Sequence, residues 1–190
     1  MKLYCIMGKS GAGKDTIFNK ILASRKDLTP IITYTTRPMR PGEKNGREYY
    51  FVTLSVFEKL KNNNSIIEYR KYNTVQGEWY YFMADDNQID VNSDKKYITI
   101  NTIFGVRKLR EIYGTSVIPI HLYVNDRDRI LRCFARETST NENYVEMCRR
   151  FVTDSHDYSS EMFDKFGIPD NRIINESIPK CLKEINKMIK

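Results

Sequence analysis

Residues 3–7 form an unbroken apolar run that stops at glycine, the pattern of a strand buried on both faces of a parallel sheet. The period then changes: Ile17, Phe18, Ile21 and Leu22 recur on one face of a helix predicted over 15–24. The β-branched stretch 30–36 predicts a second strand. It is followed by a polar loop over 37–48, carrying Pro38, Pro41, Gly42 and Gly46, and by a strand-like segment at 49–53. Ser55 with Glu58 three residues on reads as a capping box that opens a helix through Lys61. Segments 65–72 and 79–83 alternate as strands do, around a turn at Gly77. The buried-strand pattern resumes at 97–100. A helix (106–112), a strand (117–124), two helices (126–136 and 144–158), a strand (172–174) and a helix (179–189) follow.

Strands alternating with helices imply right-handed crossovers and an α/β fold of three layers, a parallel core sheet flanked by helices. Ligands of such sheets bind at the carboxyl ends of the strands. No repeat or low-complexity linker divides the chain, so one domain over 1–190 is expected: a core of 1–36 and 84–190, and a small sheet-plus-helix insertion at about 37–83.

Composition narrows the class. Of 190 residues, 41% are hydrophobic and 12% aromatic, enough for a packed core and too many for disorder. No apolar stretch approaches the roughly 18 residues of a membrane span. The N-terminal segment has neither a long apolar h-region nor a small-residue cleavage site, so a cytoplasmic protein without a membrane partner is expected. Cys5, Cys133, Cys148 and Cys181 are scattered, as reduced thiols would be. Thirty-one Lys and Arg against 24 Asp and Glu give +7, which suits a polyanionic ligand. No aromatic–basic interleaving or recognition motif points to nucleic acid.

Directly after the first strand stands Gly8-Lys9-Ser10-Gly11-Ala12-Gly13-Lys14-Asp15-Thr16, which follows the P-loop pattern in every position but one. Its glycines let backbone N–H groups converge on phosphate oxygens at a helix N-terminus, where the open donors and the dipole both favour an anion. Lys14 is expected to reach the β- and γ-phosphates. Asp15 occupies the place where a Ser or Thr hydroxyl ordinarily meets Mg2+, and Thr16 offers a hydroxyl one position later. This sets the fold class as a P-loop NTPase fold with ATP and Mg2+ as the expected ligands.

A second anion site is suggested by Thr33-Tyr34-Thr35-Thr36-Arg37-Pro38-Met39-Arg40-Pro41-Gly42-Glu43, then Gly46 and Tyr49-Tyr50-Phe51-Val52. Arginines three apart on a proline-stiffened segment can converge on one phosphate. Together with the P-loop this order resembles the guanylate kinases, whose nucleoside-monophosphate loop reads Ser-x-Thr-Thr-Arg, Pro-Arg, Gly-Glu, Gly, Tyr-x-Phe-Val. The resemblance extends over nearly the whole chain. It implies that Arg37, Arg40 and Tyr49 hold the phosphate of GMP and that Thr33 and Glu68 contact guanine. A carboxylate accepts from guanine N1–H and the 2-amino group, a pattern adenine does not offer. Without the resemblance, Glu68 reads equally well as a solvent-facing glutamate on an alternating strand. The resemblance further implies a lid at about 136–150, with Arg132, Arg136 and Arg150 approaching the transferring phosphoryl group, and Asn175 near the adenine of ATP. Arg132 and Arg136, four apart, also fit a solvated basic helix face.

The family carries two aspartates in a Leu-Asp-Ile-Asp run where this chain reads Ile98-Thr99-Ile100-Asn101-Thr102. One of them helps read guanine and the other lies near the metal. The family's Tyr-Gly-Ser/Thr turn is replaced by Glu78-Trp79-Tyr80-Tyr81-Phe82, which makes Tyr80 the candidate phosphate-contacting tyrosine. Asp15 is read as compensating for the missing strand aspartate at the ion, with Thr16. The expected function is ATP-dependent phosphorylation of GMP or dGMP. The alternatives are a kinase of the same fold with another acceptor nucleotide or a phosphorylated sugar, and a non-catalytic guanylate-kinase-like binding module. Small-molecule nucleotides are the expected partners, and nothing in the sequence sets an oligomeric state.

Overall fold

The computed structural model describes every residue except 41, 75–76 and 141–143, and leaves aside the side chains of 138–140. Five parallel strands form the central sheet: β1 (Lys2–Met7), β2 (Leu28–Pro30), β7 (Lys96–Ile100), β8 (Val117–Tyr123) and β9 (Arg172–Ile174), in the order β2-β7-β1-β8-β9. β1 lies in the middle, so Tyr4 and Ile6 face one layer of helices and Leu3, Cys5 and Met7 the other, which is why its sequence is apolar throughout. The first layer is α1 (Lys14–Ser24) and α7 (Ile178–Met188), through Ile17, Phe18, Ile21, Cys181 and Ile185. The second is α3 (Ile103–Tyr113) and α6 (Ser160–Phe166), through Val106, Leu109, Met162 and Phe163. Each such aliphatic or aromatic side chain contributes about 1.5–3 kcal/mol by leaving water.

A second sheet, in the order β4-β3-β6-β5, is built from β3 (Tyr34–Thr35), β4 (Tyr50–Phe51), β5 (Ile66–Thr74) and β6 (Gly77–Ala84). Helix α2 (Leu54–Asn62) covers one of its faces through Phe57, which is buried with Phe82 and Ala84. The last two helices, α4 (Asp126–Thr140) and α5 (Tyr144–Asp157), follow β8. The segment that joins them, at the centre of the expected lid, lies outside the described residues, as do Pro41 of the acceptor loop and the two residues before Gly77.

Three local readings are corrected. The strand expected over 30–36 is two short strands in different sheets. Pro30 closes β2 at the sheet edge, where its missing N–H costs no ladder bond, and the chain crosses to pair Tyr34 with Phe82 and Tyr50. Helix α2 is capped by Thr53, whose hydroxyl accepts from the Val56 N–H, so Ser55 lies inside the first turn. Helix α6 has no counterpart in the sequence reading. Its seven residues are too few to show a period, and it is held by a Ser159 cap and by Gly167 in the left-handed conformation.

All four cysteines are free thiols, three of them buried, and among the described residues no helix is long and apolar enough to cross a membrane.

Candidate active site

The carboxyl ends of β1 and β7, the cavity-facing side of the second sheet and helix α5 enclose a cavity of about 170 Å³. Gly8, Ser10 and Lys14 of the P-loop line it. So do Thr33 just before β3, Glu68 on β5 and Asn101 just after β7, with Arg40, Tyr49, Tyr72, Tyr81, Arg149 and Arg150 among the other lining residues.

The P-loop connects β1 to α1. Gly13 is the N-cap of α1 with φ 85, a left-handed conformation, and a Cβ there would lie 2.7 Å from the Asn175 side-chain nitrogen. No side chain caps the helix, so its first-turn N–H groups stay available to an anion. Lys14 folds back across the loop and donates from Nζ to the carbonyls of Gly8 at 2.7 Å and Lys9 at 3.2 Å. Removal from water pulls its pKa down, opposed by Asp15 and Asp154 and helped by the Arg150 and Arg136 charges. Asp15 and Thr16 are exposed on the first turn of α1 and do not line the cavity.

The loop is gripped from outside by residues the sequence reading missed. Arg129, fully buried on α4, stacks over Phe151 at 3.8 Å, pairs with Asp126 at 2.9 Å and Asp154 at 3.5 Å, and donates to the Ser10 carbonyl at 3.3 Å. Asp154 on α5 accepts the Ser10 N–H at 2.6 Å, so one ion pair holds both sides of the Ser10 peptide. The Tyr158 hydroxyl accepts from the Gly8 N–H at 3.2 Å, and its ring stacks on buried His121. A lone arginine in a helix rich in arginines carries no sequence signal that marks it as buried.

Glu68 reaches the cavity through a β-bulge. The β5–β6 register shifts between Ile66 and Glu68, and the shift turns Glu68, Arg70, Tyr72 and Thr74 towards the cavity while Tyr69 packs on Phe57. Burial raises the Glu68 carboxyl to a pKa of about 7, against the lowering influence of Asn101 and Arg70. If the ionised carboxylate is the binding form, kcat/KM for the ligand that it contacts is expected to fall about tenfold per pH unit below pH 7. Glu68→Gln should remove that acid limb from the pH–rate profile. An unchanged limb in the variant would assign it to another group.

Arg37 and Arg40 part company. Arg37 is buried, with its guanidinium in a bidentate pair with Glu43 at 2.5 and 2.7 Å and within 5.3 Å of the Tyr49 ring centroid and 5.1 Å of that of Phe51. Burial favours a neutral Glu43, but the Arg37 bonds and the Arg40 N–H outweigh it and hold the carboxyl below its ordinary pKa. Arg40 lines the cavity with Tyr49.

Other expected site residues lie elsewhere. Tyr80 points away from the cavity and stacks on Phe57 with centroids 4.2 Å apart. Its neighbour Tyr81 lines the cavity, because adjacent side chains on a strand take opposite faces. Arg132 is exposed and donates to the Asn175 carbonyl at 3.3 Å, and Arg136 contacts Glu137 at 3.1 Å, whereas Arg150 is in the cavity wall. Asn175 is buried and donates to the Ala12 carbonyl at 2.8 Å, a buttress under the loop.

The second sheet is tied to α5. Arg70 pairs with Asp157 at 2.8 Å, and Arg149 lies 5.7 Å from the Tyr72 ring centroid. A cavity lined together by a loop with open helix-terminal donors and a lysine, a buried carboxyl, and several arginines and tyrosines suits a ligand with two phosphate-bearing parts.

Comparison with known proteins agrees with this layout. The guanylate kinase family model matches residues 1–190. The guanylate kinase of Baumannia cicadellinicola subsp. Homalodisca coagulata is 27% identical over 98% of this chain and 88% of its own. That of Porphyromonas gingivalis is 26% identical over 99% and 96%. In structure the chain is similar to the guanylate kinase of Anaplasma phagocytophilum, with a TM-score of 0.69 and 22% identity, covering 99% of this chain and 84% of that one, a likeness of fold. With the family matched from end to end over a P-loop and an acceptor-loop arginine pair, the chain belongs to the guanylate kinase family of nucleoside monophosphate kinases.

Proposed function

We propose that the protein transfers the γ-phosphoryl group of ATP to the phosphate of GMP or dGMP, giving ADP and GDP or dGDP. The observation that carries this reading is that one cavity is lined together by Lys14, by Glu68 and Thr33, and by Arg40, Tyr49 and Arg150. The P-loop amides and Lys14 hold the donor phosphates. Arg40 and Tyr49 hold the acceptor phosphate, with Arg37 positioning Tyr49 by stacking on its ring. Glu68 accepts guanine N–H groups and Thr33 bonds the base. Arg150 neutralises charge on the transferring group, and Arg136 joins it as the lid region at about 136–150 closes and excludes water. The second sheet, at about 37–83, is the acceptor-binding part of one domain. The partners are small-molecule nucleotides in the cytoplasm.

Oxygen donors beside the loop suit a hard cation: Mg2+ is held by one or two carboxylates plus substrate phosphates, so the exposed Asp15 carboxylate and Thr16 hydroxyl are a sufficient protein contribution. When bound, the ion supplies charge neutralisation of the phosphate oxygens. Asp15→Asn is expected to raise the Mg2+ concentration for half-maximal rate severalfold, and to do so more than it raises KM for GMP. An unchanged Mg2+ dependence would remove Asp15 from that role.

The function is tested by ADP release from ATP with GMP, dGMP, IMP, AMP, CMP, UMP and dTMP as acceptors beside a control without acceptor. Turnover confined to guanine nucleotides is expected. Turnover with another acceptor alone, or none that depends on an acceptor, would overturn the reading.

A further inference from the structure

The chain passes between the two sheets twice, outward at residues 31–33 and back at 85–95. On the outward pass Ile31 still belongs to the core: its N–H donates to the Ile98 carbonyl at 2.9 Å, and its carbonyl accepts the buried Thr99 hydroxyl at 3.2 Å. Thr33 already belongs to the second sheet, because its carbonyl accepts the Tyr50 N–H at 2.9 Å. Only Ile32 lies between. On the return, the Asp85 N–H bonds the Ser65 carbonyl at the start of β5 at 2.9 Å, and the Asp90 N–H bonds the hydroxyl of Tyr97 on β7 at 3.0 Å. The returning hinge is therefore 86–89.

One amide ties the two hinges together. Gln88 Oε1 accepts the Ile32 N–H at 2.9 Å and Nε2 donates to the Ile32 carbonyl at 3.1 Å. A side chain thus takes both peptide groups of the residue between the sheets, as a neighbouring strand would. Nε2 also donates to Asp86 Oδ2 at 2.7 Å, and the same oxygen accepts the Tyr34 hydroxyl at 2.7 Å, which extends the clamp to β3. Asn87 between them takes φ 64, a conformation asparagine tolerates better than most residues. An amide offers the donor and the acceptor this arrangement uses, whereas a carboxylate offers only acceptors.

We propose that Gln88 is a positioning residue for phosphoryl transfer: by clamping Ile32 it fixes how the second sheet stands to the P-loop, and so where the acceptor phosphate lies relative to the donor. The inference rests on reading the cavity as the GMP site. Thr33 follows Ile32 directly, and Arg40 and Tyr49 stand on the loop between β3 and β4. All three line the cavity that Lys14 lines from the core, and Gln88 does not. A shift at the hinge moves these acceptor contacts together relative to Lys14, and a misplacement of about 1 Å costs about 100-fold in rate.

The test compares the wild-type protein with Gln88→Met, which keeps the length and removes both bonds to Ile32, and with Asp86→Ala. The second change is milder, since it removes the acceptor that orients the amide and leaves the Ile32 bonds in place, and it carries the comparison if Gln88→Met does not fold. GMP and ATP are varied in turn at a temperature where thermal melts show each protein folded, and amide hydrogen exchange is followed at Ile32. Gln88→Met should lower kcat/KM for GMP by about tenfold or more while KM for ATP stays within about twofold, and Ile32 exchange should quicken by about tenfold or more. Asp86→Ala should move the same quantities in the same direction by less. Unchanged kcat/KM for GMP, or GMP and ATP parameters that worsen in equal proportion, would make the clamp a stability element and overturn the positioning role while the GMP reading stands. If the wild-type protein turns over a different acceptor, the GMP reading fails and the same ratios with that acceptor decide the role of Gln88. No turnover with any acceptor would overturn both.

Discussion

Lys14→Met is expected to lower kcat for GMP phosphorylation by roughly 100- to 1,000-fold while the fold persists. The side chain spans the P-loop from Nζ to the Gly8 and Lys9 carbonyls and carries a positive charge beside the open N-terminus of α1, the site proposed for the donor phosphates. Methionine keeps the length and the apolar stem but supplies neither charge nor N–H. The two carbonyls it releases lie on a loop that is partly open to water, so the loss in stability is small beside the loss in rate. ADP release under saturating ATP and GMP, read with a thermal melt, separates the two. A variant that melts like the wild type and turns over at a comparable rate would mean that the loop is not a donor-phosphate site.

The second large effect is on stability. Arg129→Met should destabilise the protein by about 3 kcal/mol, the lower end for breaking a buried ion pair, because Asp126 is exposed and can recover water. Asp154, with a side chain 18% exposed, loses its counter-charge beside the Ser10 amide, and the Ser10 carbonyl loses a donor. For a chain of this size the melting temperature should fall by roughly 10 °C. Adding Asp154→Asn removes the stranded charge, so the double variant should be less destabilised than the two single changes added together. Full additivity would mean that Arg129 and Asp154 act independently on the loop. Since both partners hold the Ser10 peptide, Arg129→Met should also raise KM for ATP.

Local sequence determined much of this. The glycine spacing of the P-loop is legible because only residues without a Cβ fit its backbone, and because the apolar strand before it and the periodic helix after it are each set by burial on fixed faces. The acceptor loop was legible as an arginine pair, whereas Glu68 pointed to guanine only through the resemblance to guanylate kinases, since by itself it reads equally well as a solvent-facing glutamate. The order of strands and helices implied the parallel sheet before any coordinate did.

Tertiary structure decided the rest, because it depends on register and on which polar group meets which. A one-residue bulge after Ile66 turned Glu68 to the cavity, and strand alternation put Tyr81 there in place of Tyr80. Nothing in the Arg-rich run of α4 distinguishes Arg129, buried against Ser10 and Asp154, from Arg132 in contact with Asn175 or Arg136 beside Glu137, since helix rotation and the docking of α5 select among them. Arg37 and Arg40 look equivalent three residues apart, yet Glu43 folds back onto the first and leaves the second to line the cavity. The letter at 101 shows only that a carboxylate is absent. That its Oδ1 takes the Thr102 N–H and its side chain rests on the bare backbone of Gly105 is a contact between a strand end and a helix that no local pattern encodes.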